Sequence, residues 1–450
     1  MQRKTLHKQY KKLGISAVRR IGFSFFAVIL IGSILLSLPM SHSVHSTSSY
    51  LDHLFVATSA TCVTGLVTHV TASEYTLFGQ IVIILLIQIG GLGFLTLMSM
   101  FFVLLKRKLT YANKIVMQEA LNRNSLNETG IYIKRVIKYT VCFELIGAIC
   151  LAFVFIPQFG ILKGIYYSLF HAISAFCNAG FDILGTTENT FPSLMRYSGN
   201  AIVNVVIMLL IIIGGIGFLT WDDIYMNKMN FKRYRMQSKI ILVTTACLIF
   251  LPAVFFFVCD LKNLPAGQRL LAATFQSVTT RTAGFNTINI SEMSEASSAV
   301  MILLMLIGGS PGSTAGGMKT TTFTVLLLNA IATFRSQENA GAFGRRLEYH
   351  AIKNAATISM LYFTLFFCGG LAISIYEDIP LLDCLYEAAS AVGTVGLTLG
   401  ITPKLHVFSQ VVLIILMYLG RVGGLTLIYA VFSGRNRGNA RLPLEKITVG

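Results

Sequence analysis

Four short stretches of this chain repeat a hydroxyl residue and a glycine at near-constant spacing. Ser59 precedes Gly65 by six residues, as Ser174 precedes Gly180 and Ser390 precedes Gly396, and a degraded copy runs from Ser277 to Gly284. Each glycine follows an apolar run too short to cross a bilayer, such as Tyr50–Ala60, so the chain must enter and turn back. Non-helical backbone at membrane depth is tolerated only inside protein or beside a water-filled cavity. Glycine opens backbone conformations closed to other residues there. Main-chain carbonyl oxygens can then face one axis, and rings of carbonyls replace the hydration shell of a monovalent cation. Half-helix C-termini pointing inward add partial negative charge. The residues placed for this chemistry are Val63, Thr64 and Gly65, then Asn178, Ala179 and Gly180, then Thr282, Ala283 and Gly284, and last Thr394, Val395 and Gly396.

A second anchor comes after each of these loops on the next apolar run. It reads Gly90-Gly91-x-Gly93, Gly214-Gly215-x-Gly217, Gly308-Gly309 and Gly420-Arg421-x-Gly423. Small residues are common where membrane helices touch, so the glycines of the first two copies are assigned first to close packing. Arg421 replaces a glycine in the middle of an apolar run. A charge there must face a cavity or a partner, which makes it an electrostatic barrier or the partner of a carboxylate such as Glu144. The third copy opens a run of ten residues, Gly308, Gly309, Ser310, Pro311, Gly312, Ser313, Thr314, Ala315, Gly316 and Gly317. Five glycines and a proline cannot stay helical. Lys319, just beyond, either contacts this loop or snorkels. The segment Gly312–Thr320 nearly spells a phosphate-cradling loop, but Met318 breaks the spacing and no strand precedes it.

The elements that must position these groups are set by composition. The 450 residues are 54% hydrophobic and only 12% charged, with a mean hydropathy of +0.70. A soluble fold averages about 25% charged residues, so the expected class is an all-α polytopic membrane protein. Eight runs qualify as spans, near 21–38, 77–105, 139–156, 201–220, 240–258, 300–333, 358–375 and 408–432. They group as four tandem helix–pore loop–helix repeats around one central pore. The boundaries are a tail 1–20, repeat 1 at 21–105, a basic linker 106–138, repeat 2 at 139–225 and repeat 3 at 226–333. A linker 334–353, repeat 4 at 354–433 and a tail 434–450 complete the chain.

Charge then sets orientation. The net charge of +17 divides into about +21 on the side holding both termini and −5 on the other. The positive-inside rule places both termini in the cytoplasm. The basic excess is thus a topology signal and, secondarily, a lipid or partner surface; nucleic acid is not implied. None of the eight cysteines forms a Cys-x-x-Cys pair, and the eight histidines show no paired spacing that would suggest an intramembrane enzyme. Four repeats of one orientation also conflict with an inverted-repeat carrier.

With these motifs in view, the sequence resembles the Trk/Ktr/HKT superfamily of potassium transporters, and within it the membrane subunit of bacterial Ktr systems, from the first span to Tyr429. The resemblance implies that Gly65, Gly180, Gly284 and Gly396 are filter glycines holding K⁺, that Gly308–Gly317 is an intramembrane gate loop, and that Arg421 is an electrostatic barrier below the filter. It implies K⁺ uptake into the cell across the plasma membrane, with Na⁺ as a stimulating ion in some members. It also implies a homodimer, each chain with its own pore, and a cytosolic ring of nucleotide-binding RCK subunits. This chain would hold no cofactor, nucleotide belonging to that ring, and candidate contacts with it are Arg335–Lys353 and Arg435–Gly450. A Na⁺ or broadly selective cation permease of the same fold is the rival reading.

Overall fold

The apolar runs fold into helices whose ends coincide with their polar and glycine punctuation. The structure, a computed structural model, describes residues 22–43, 48–93, 129–185, 193–228 and 230–423. The tails 1–20 and 434–450, most of the 106–138 linker and the ends of three expected spans (21, 94–105 and 424–432) lie outside the described residues.

In chain order the principal helices are α1 (Gly22–Leu36), α2 (Tyr50–Cys62), α3 (Leu77–Leu92), α4 (Thr129–Phe159) and α5 (Ile161–Phe176). Next come α6 (Ala201–Ile216), α7 (Phe218–Asn227), α8 (Met236–Cys259), α9 (Ala266–Thr279) and α10 (Glu295–Leu306). The series ends with α11 (Thr320–Phe334), α12 (Tyr349–Glu377), α13 (Leu381–Gly393) and α14 (Val407–Val422). A small hairpin, β1 (Gly341–Ala342) paired with β2 (Arg345–Arg346), interrupts the otherwise helical fold between α11 and α12.

Starts are set by local chemistry. At α2 the Ser49 hydroxyl accepts from the Asp52 N–H while the Asp52 carboxylate accepts from the Ser49 N–H, a reciprocal capping box. Thr76, Asn200 and Ser294 cap α3, α6 and α10 in a one-sided way. Among the described residues, three helices are long and apolar enough to cross a membrane: α4 from Tyr132, α8 and α12. A fourth is obtained when α6 and α7, bent by 93°, count as one. Large apolar side chains such as Phe153, Leu209, Phe250, Leu303 and Phe363 stand exposed on these helices and on α10. Such a surface suits hydrocarbon and would be a liability in water.

Neighbouring elements pack in a cyclic order. The half-helices α2, α5, α9 and α13 each pack on the helix beside them in sequence. The helix after each glycine loop also touches the next half-helix along the chain: α3 meets α5, α6 meets α9 and α10 meets α13, and α14 closes back onto α2.

Candidate functional site

Each half-helix leads into a left-handed residue that is not glycine: Val63 (φ 57°), Asn178 (φ 59°), Thr282 (φ 71°) and Thr394 (φ 51°). Two residues later the glycines stand at φ 98°, 70°, 80° and 94°. Left-handed backbone at alternate positions turns successive carbonyls to the same side. A β-branched or amide residue adopts it only where its surroundings compel it. The compulsion is visible. The N–H groups of Thr64, Ala179 and Val395 each donate at 2.8 Å to the carbonyls of Ser59, Ser174 and Ser390. The Ser59 and Ser390 hydroxyls accept from the N–H groups of Gly65 and Gly396 at 3.0 Å. The recurrent serine six residues before the glycine is the clamp of the loop.

The third loop departs from the sequence-based alignment. Ser277 donates instead to the Ile249 carbonyl at 2.6 Å, on α8. Thr279 takes the clamping role, its hydroxyl donating to the Phe285 carbonyl at 2.7 Å as Ser174 donates to that of Phe181 at 2.8 Å.

The four loops meet in a closed ring. A methyl group added to Gly65 would lie against the Ala179 carbonyl, one on Gly180 against that of Ala283, one on Gly284 against that of Val395, and one on Gly396 against that of Thr64. In every case the separation would be no more than 2.6 Å. The order 65, 180, 284, 396 and back to 65 matches the closure of α14 onto α2. All twelve residues singled out in the loops are therefore brought together. Within the ring the Asn178 amide hydrogen-bonds the Thr282 hydroxyl at 3.2 Å, and the Thr64 and Thr394 hydroxyls have no hydrogen-bond partner among the described residues, so these oxygens remain uncommitted.

The glycine anchors do two different jobs. Gly90, Gly214 and Gly420 leave no room for a side chain, because the carbonyls of Thr61, Phe176 and Val392 press on them. Each of those carbonyls lies four residues before a ring glycine. Gly93, Gly217 and Gly423 instead end their helices at φ 81°, 94° and 91°. Packing accounts for the first glycine of the motif; a break in the helix accounts for the third.

The ten-residue loop lies against this assembly. Ser310 and Thr314 donate from their N–H groups to Gly215 and Gly214 at 3.0 and 3.3 Å, and the Thr314 hydroxyl donates to the Phe176 carbonyl at 3.0 Å. Gly317 donates to the Gly420 carbonyl at 3.3 Å, and Gly316 abuts the Thr394 side chain. Lys319 donates to the carbonyls of Ala315 and Gly316 at 2.8 and 3.2 Å, so it closes the loop rather than snorkelling. Arg421 donates to the Thr314 and Gly90 carbonyls, and to that of Gly91 at 3.2 Å. Glu144 is not its partner: that carboxylate accepts from Gln88 at 3.0 Å, and Gln88 in turn accepts from the Cys177 thiol at 3.5 Å.

Two charged residues near the ring escaped the sequence. Glu387, fully buried in α13, accepts from the hydroxyls of Thr398 and Thr402 at 2.5 and 2.7 Å and from the Leu399 N–H at 3.2 Å. Arg281 is buried, and its Nε has no partner among the described residues. Beside the start of α2, His69 Nε2 lies 3.6 Å from the Asp52 carboxylate. The nearby carboxylate lifts the His69 pKa. Burial opposes ionisation of Asp52, yet the His69 contact and the bonds from the Ser49 N–H and hydroxyl outweigh it and hold the carboxyl well below its usual range.

Compared with known proteins, the chain matches the TrkH family model, described as a cation transport protein, over residues 18–436. The potassium/sodium uptake protein NtpJ of Enterococcus hirae is 39% identical over 99% of this chain and 100% of its own length. The Ktr system potassium uptake protein B of Bacillus subtilis is 38% identical over 96% of each chain. The crystal structure of the potassium transporter TrkH from Vibrio parahaemolyticus superposes with a TM-score of 0.72 at 18% identity, covering 91% of this chain and 84% of that one, which speaks for the fold alone.

Proposed function

Because this chain belongs to the TrkH family of cation transport proteins, we propose that it is the translocating membrane subunit of a K⁺ uptake system. Its family makes it a transporter and not an enzyme, and an integral membrane protein. The observation that carries the K⁺ reading is the closed ring of Gly65, Gly180, Gly284 and Gly396, with a main-chain carbonyl between each pair of successive glycines. Ring carbonyls give a partly dehydrated cation a substitute for water, and the four half-helix C-termini beneath them add negative potential.

In this account the eight spans form four tandem repeats around one pore. The ion passes Val63–Gly65, Asn178–Gly180, Thr282–Gly284 and Thr394–Gly396. Below them the Gly308–Gly317 loop is the gate, and Arg421 latches it to the end of α3 while adding a positive barrier. Both termini face the cytoplasm of a plasma-membrane protein. The chain pairs as a homodimer and is governed by a cytosolic RCK-type ring, which alone carries nucleotide; the relatives named for a Ktr system support a multi-component assembly. Na⁺ stimulates the uptake.

A second reading, a broadly selective Na⁺ and K⁺ permease, is favoured by one observation: the relative with 39% identity is named for both ions. Rb⁺ uptake into a K⁺-uptake-deficient cell, with and without external Na⁺, tests the proposal. Uptake that needs this chain and rises with Na⁺ is expected. No Rb⁺ uptake in a strain that carries the chain in its membrane together with an RCK partner would refute it.

A further inference from the structure

Where α6 gives way to α7, a helical hydrogen bond is exchanged for bonds to the ten-residue loop. In an unbroken helix the Phe218 N–H would donate to the Gly214 carbonyl, four residues back. The chain instead bends by 93° at Gly217, which stands at φ 94°. Phe218 donates to the Gly312 carbonyl at 2.9 Å, and Gly214 accepts from the Thr314 N–H at 3.3 Å. The next carbonyl, that of Gly215, accepts from the Ser310 N–H at 3.0 Å. A helix break leaves such groups without internal partners, and here the loop supplies them. The exchange is exclusive. If α6 and α7 join, Gly214 and Phe218 bond to each other and the loop loses both contacts.

What keeps the break open lies on α7 itself. The buried Asp222 carboxylate accepts from the Arg135 guanidinium at 2.7 Å, which fixes α7 to the first turns of α4. The same guanidinium lies 5.7 Å from the centre of the Tyr225 ring, also on α7. Asp223 accepts from the Arg235 N–H at 2.8 Å, at the start of α8. The Trp221 indole donates to the Ile213 carbonyl at 2.9 Å and closes the end of α6. Adjacent carboxylates of one short helix thus tie it to two other helices, across the end of α6 rather than along it. The bend also needs its glycine. A methyl group on Gly217 would lie 2.8 Å from the Pro311 carbonyl, on a left-handed backbone that disfavours side chains.

We infer that Arg135 and Asp222 are positioning residues for the loop. They hold α7 across the end of α6, and the open break in turn holds Ser310, Gly312 and Thr314. Joining α6 to α7 releases the loop, so the junction has two arrangements and the ion pair selects between them. The consequence for ion flow rests on the reading of Gly308–Gly317 as the gate. The coupling between junction and loop does not depend on which ion the protein carries.

The coupling is read apart from transport, by hydrogen–deuterium exchange and mass spectrometry of the purified full chain on peptides covering 308–318 and 214–222. Arg135→Gln and Gly217→Ala should each speed exchange in 308–318 several-fold. Segment 214–222 should stay protected, because its N–H groups then bond within a continuous helix. Arg135→Lys, which keeps a charge opposite Asp222, should exchange nearly as the unaltered chain does. Unchanged exchange in 308–318 would mean that α7 does not hold the loop. Faster exchange in both segments together would mean that the variants merely unfold the junction. Either result overturns the proposal. Arg135 is partly exposed, so its variant carries the test if Gly217→Ala fails to fold. In liposomes the two variants should also raise Rb⁺ flux several-fold. A released loop with unraised flux, in a chain that does carry Rb⁺, defeats the positioning role. A released loop with no Rb⁺ flux in any chain, the unaltered one included, supports the coupling and counts against the K⁺ reading instead.

Discussion

The guanidinium of Arg421 and the main-chain carbonyl of Thr314 are joined by a hydrogen bond that ties the last described helix to the middle of the Gly308–Gly317 loop. The same guanidinium holds the carbonyls of Gly90 and Gly91 at the end of α3. One side chain thereby bridges the first and last helix–loop units and the ten-residue loop between them. A charge bound by carbonyls alone, with no carboxylate opposite among the described residues, keeps its positive field.

Arg421→Ala should therefore remove both a latch and a barrier. Rb⁺ efflux from loaded liposomes is expected to rise several-fold, and Arg421→Lys, which keeps the charge but not the forked donor, should fall between. A variant that folds yet conducts no faster would argue that Arg421 is a strut.

Shortening the loop tests the gate from the other side. Deleting Ser310–Gly316 removes the partners of Lys319 and the contact of Gly316 with Thr394. Flux should increase. Lost flux with retained folding would mark the loop as a support.

The polar pair behind the ring is a matter of stability. Glu144 depends on Gln88 for its hydrogen bond. Gln88→Leu leaves a buried carboxyl group without that donor and should cost about 1–3 kcal/mol, read as a lower melting temperature in detergent. Glu144→Gln, which can still pair with Gln88, should cost less; a larger loss for Glu144→Gln would contradict the assignment.

The Asp52–His69 pair should show in pH dependence. The His69 pKa is raised, so the pair's stabilisation is complete below the unfolded histidine value of about 6.5 and is lost as pH rises through the raised folded value. The melting-temperature gap between the unaltered chain and His69→Gln should be widest near and below pH 6 and shrink as pH rises further. A gap constant across that range would show that charge is not involved. The effect is modest, because His69 is partly exposed.

How much of the site is legible in the sequence depends on which physics leaves a trace in residue types. The ring glycines are readable because a left-handed turn against a neighbouring carbonyl admits little else, and because the clamping serine recurs at fixed distance. Val63, Asn178, Thr282 and Thr394 leave no such trace, since their left-handed backbone is imposed by hydrogen bonds made after folding. Thr279 is missed for Ser277 because either hydroxyl can clamp, and only the position of α8 decides between them. The split between packing at Gly90 and helix breaking at Gly93 is likewise invisible, both being glycine. The partners of Arg421 cannot be inferred from side chains because they are main-chain oxygens. The helical class and the apolar runs, by contrast, are written directly in composition.

Selection of K⁺ by the glycine ring is tested most directly by comparing Rb⁺ and Na⁺ flux through the purified chain in liposomes, with Gly396→Ser as the matched variant. A side chain at Gly396 meets the Thr64 carbonyl and must adopt φ 94°, so it disturbs the ring in two ways. The account predicts Rb⁺ flux well above Na⁺ flux for the unaltered chain, with the preference reduced at least about tenfold in Gly396→Ser, the equivalent of about 1.4 kcal/mol. Equal Rb⁺ and Na⁺ flux through the unaltered chain, or a preference that survives Gly396→Ser intact, would contradict it.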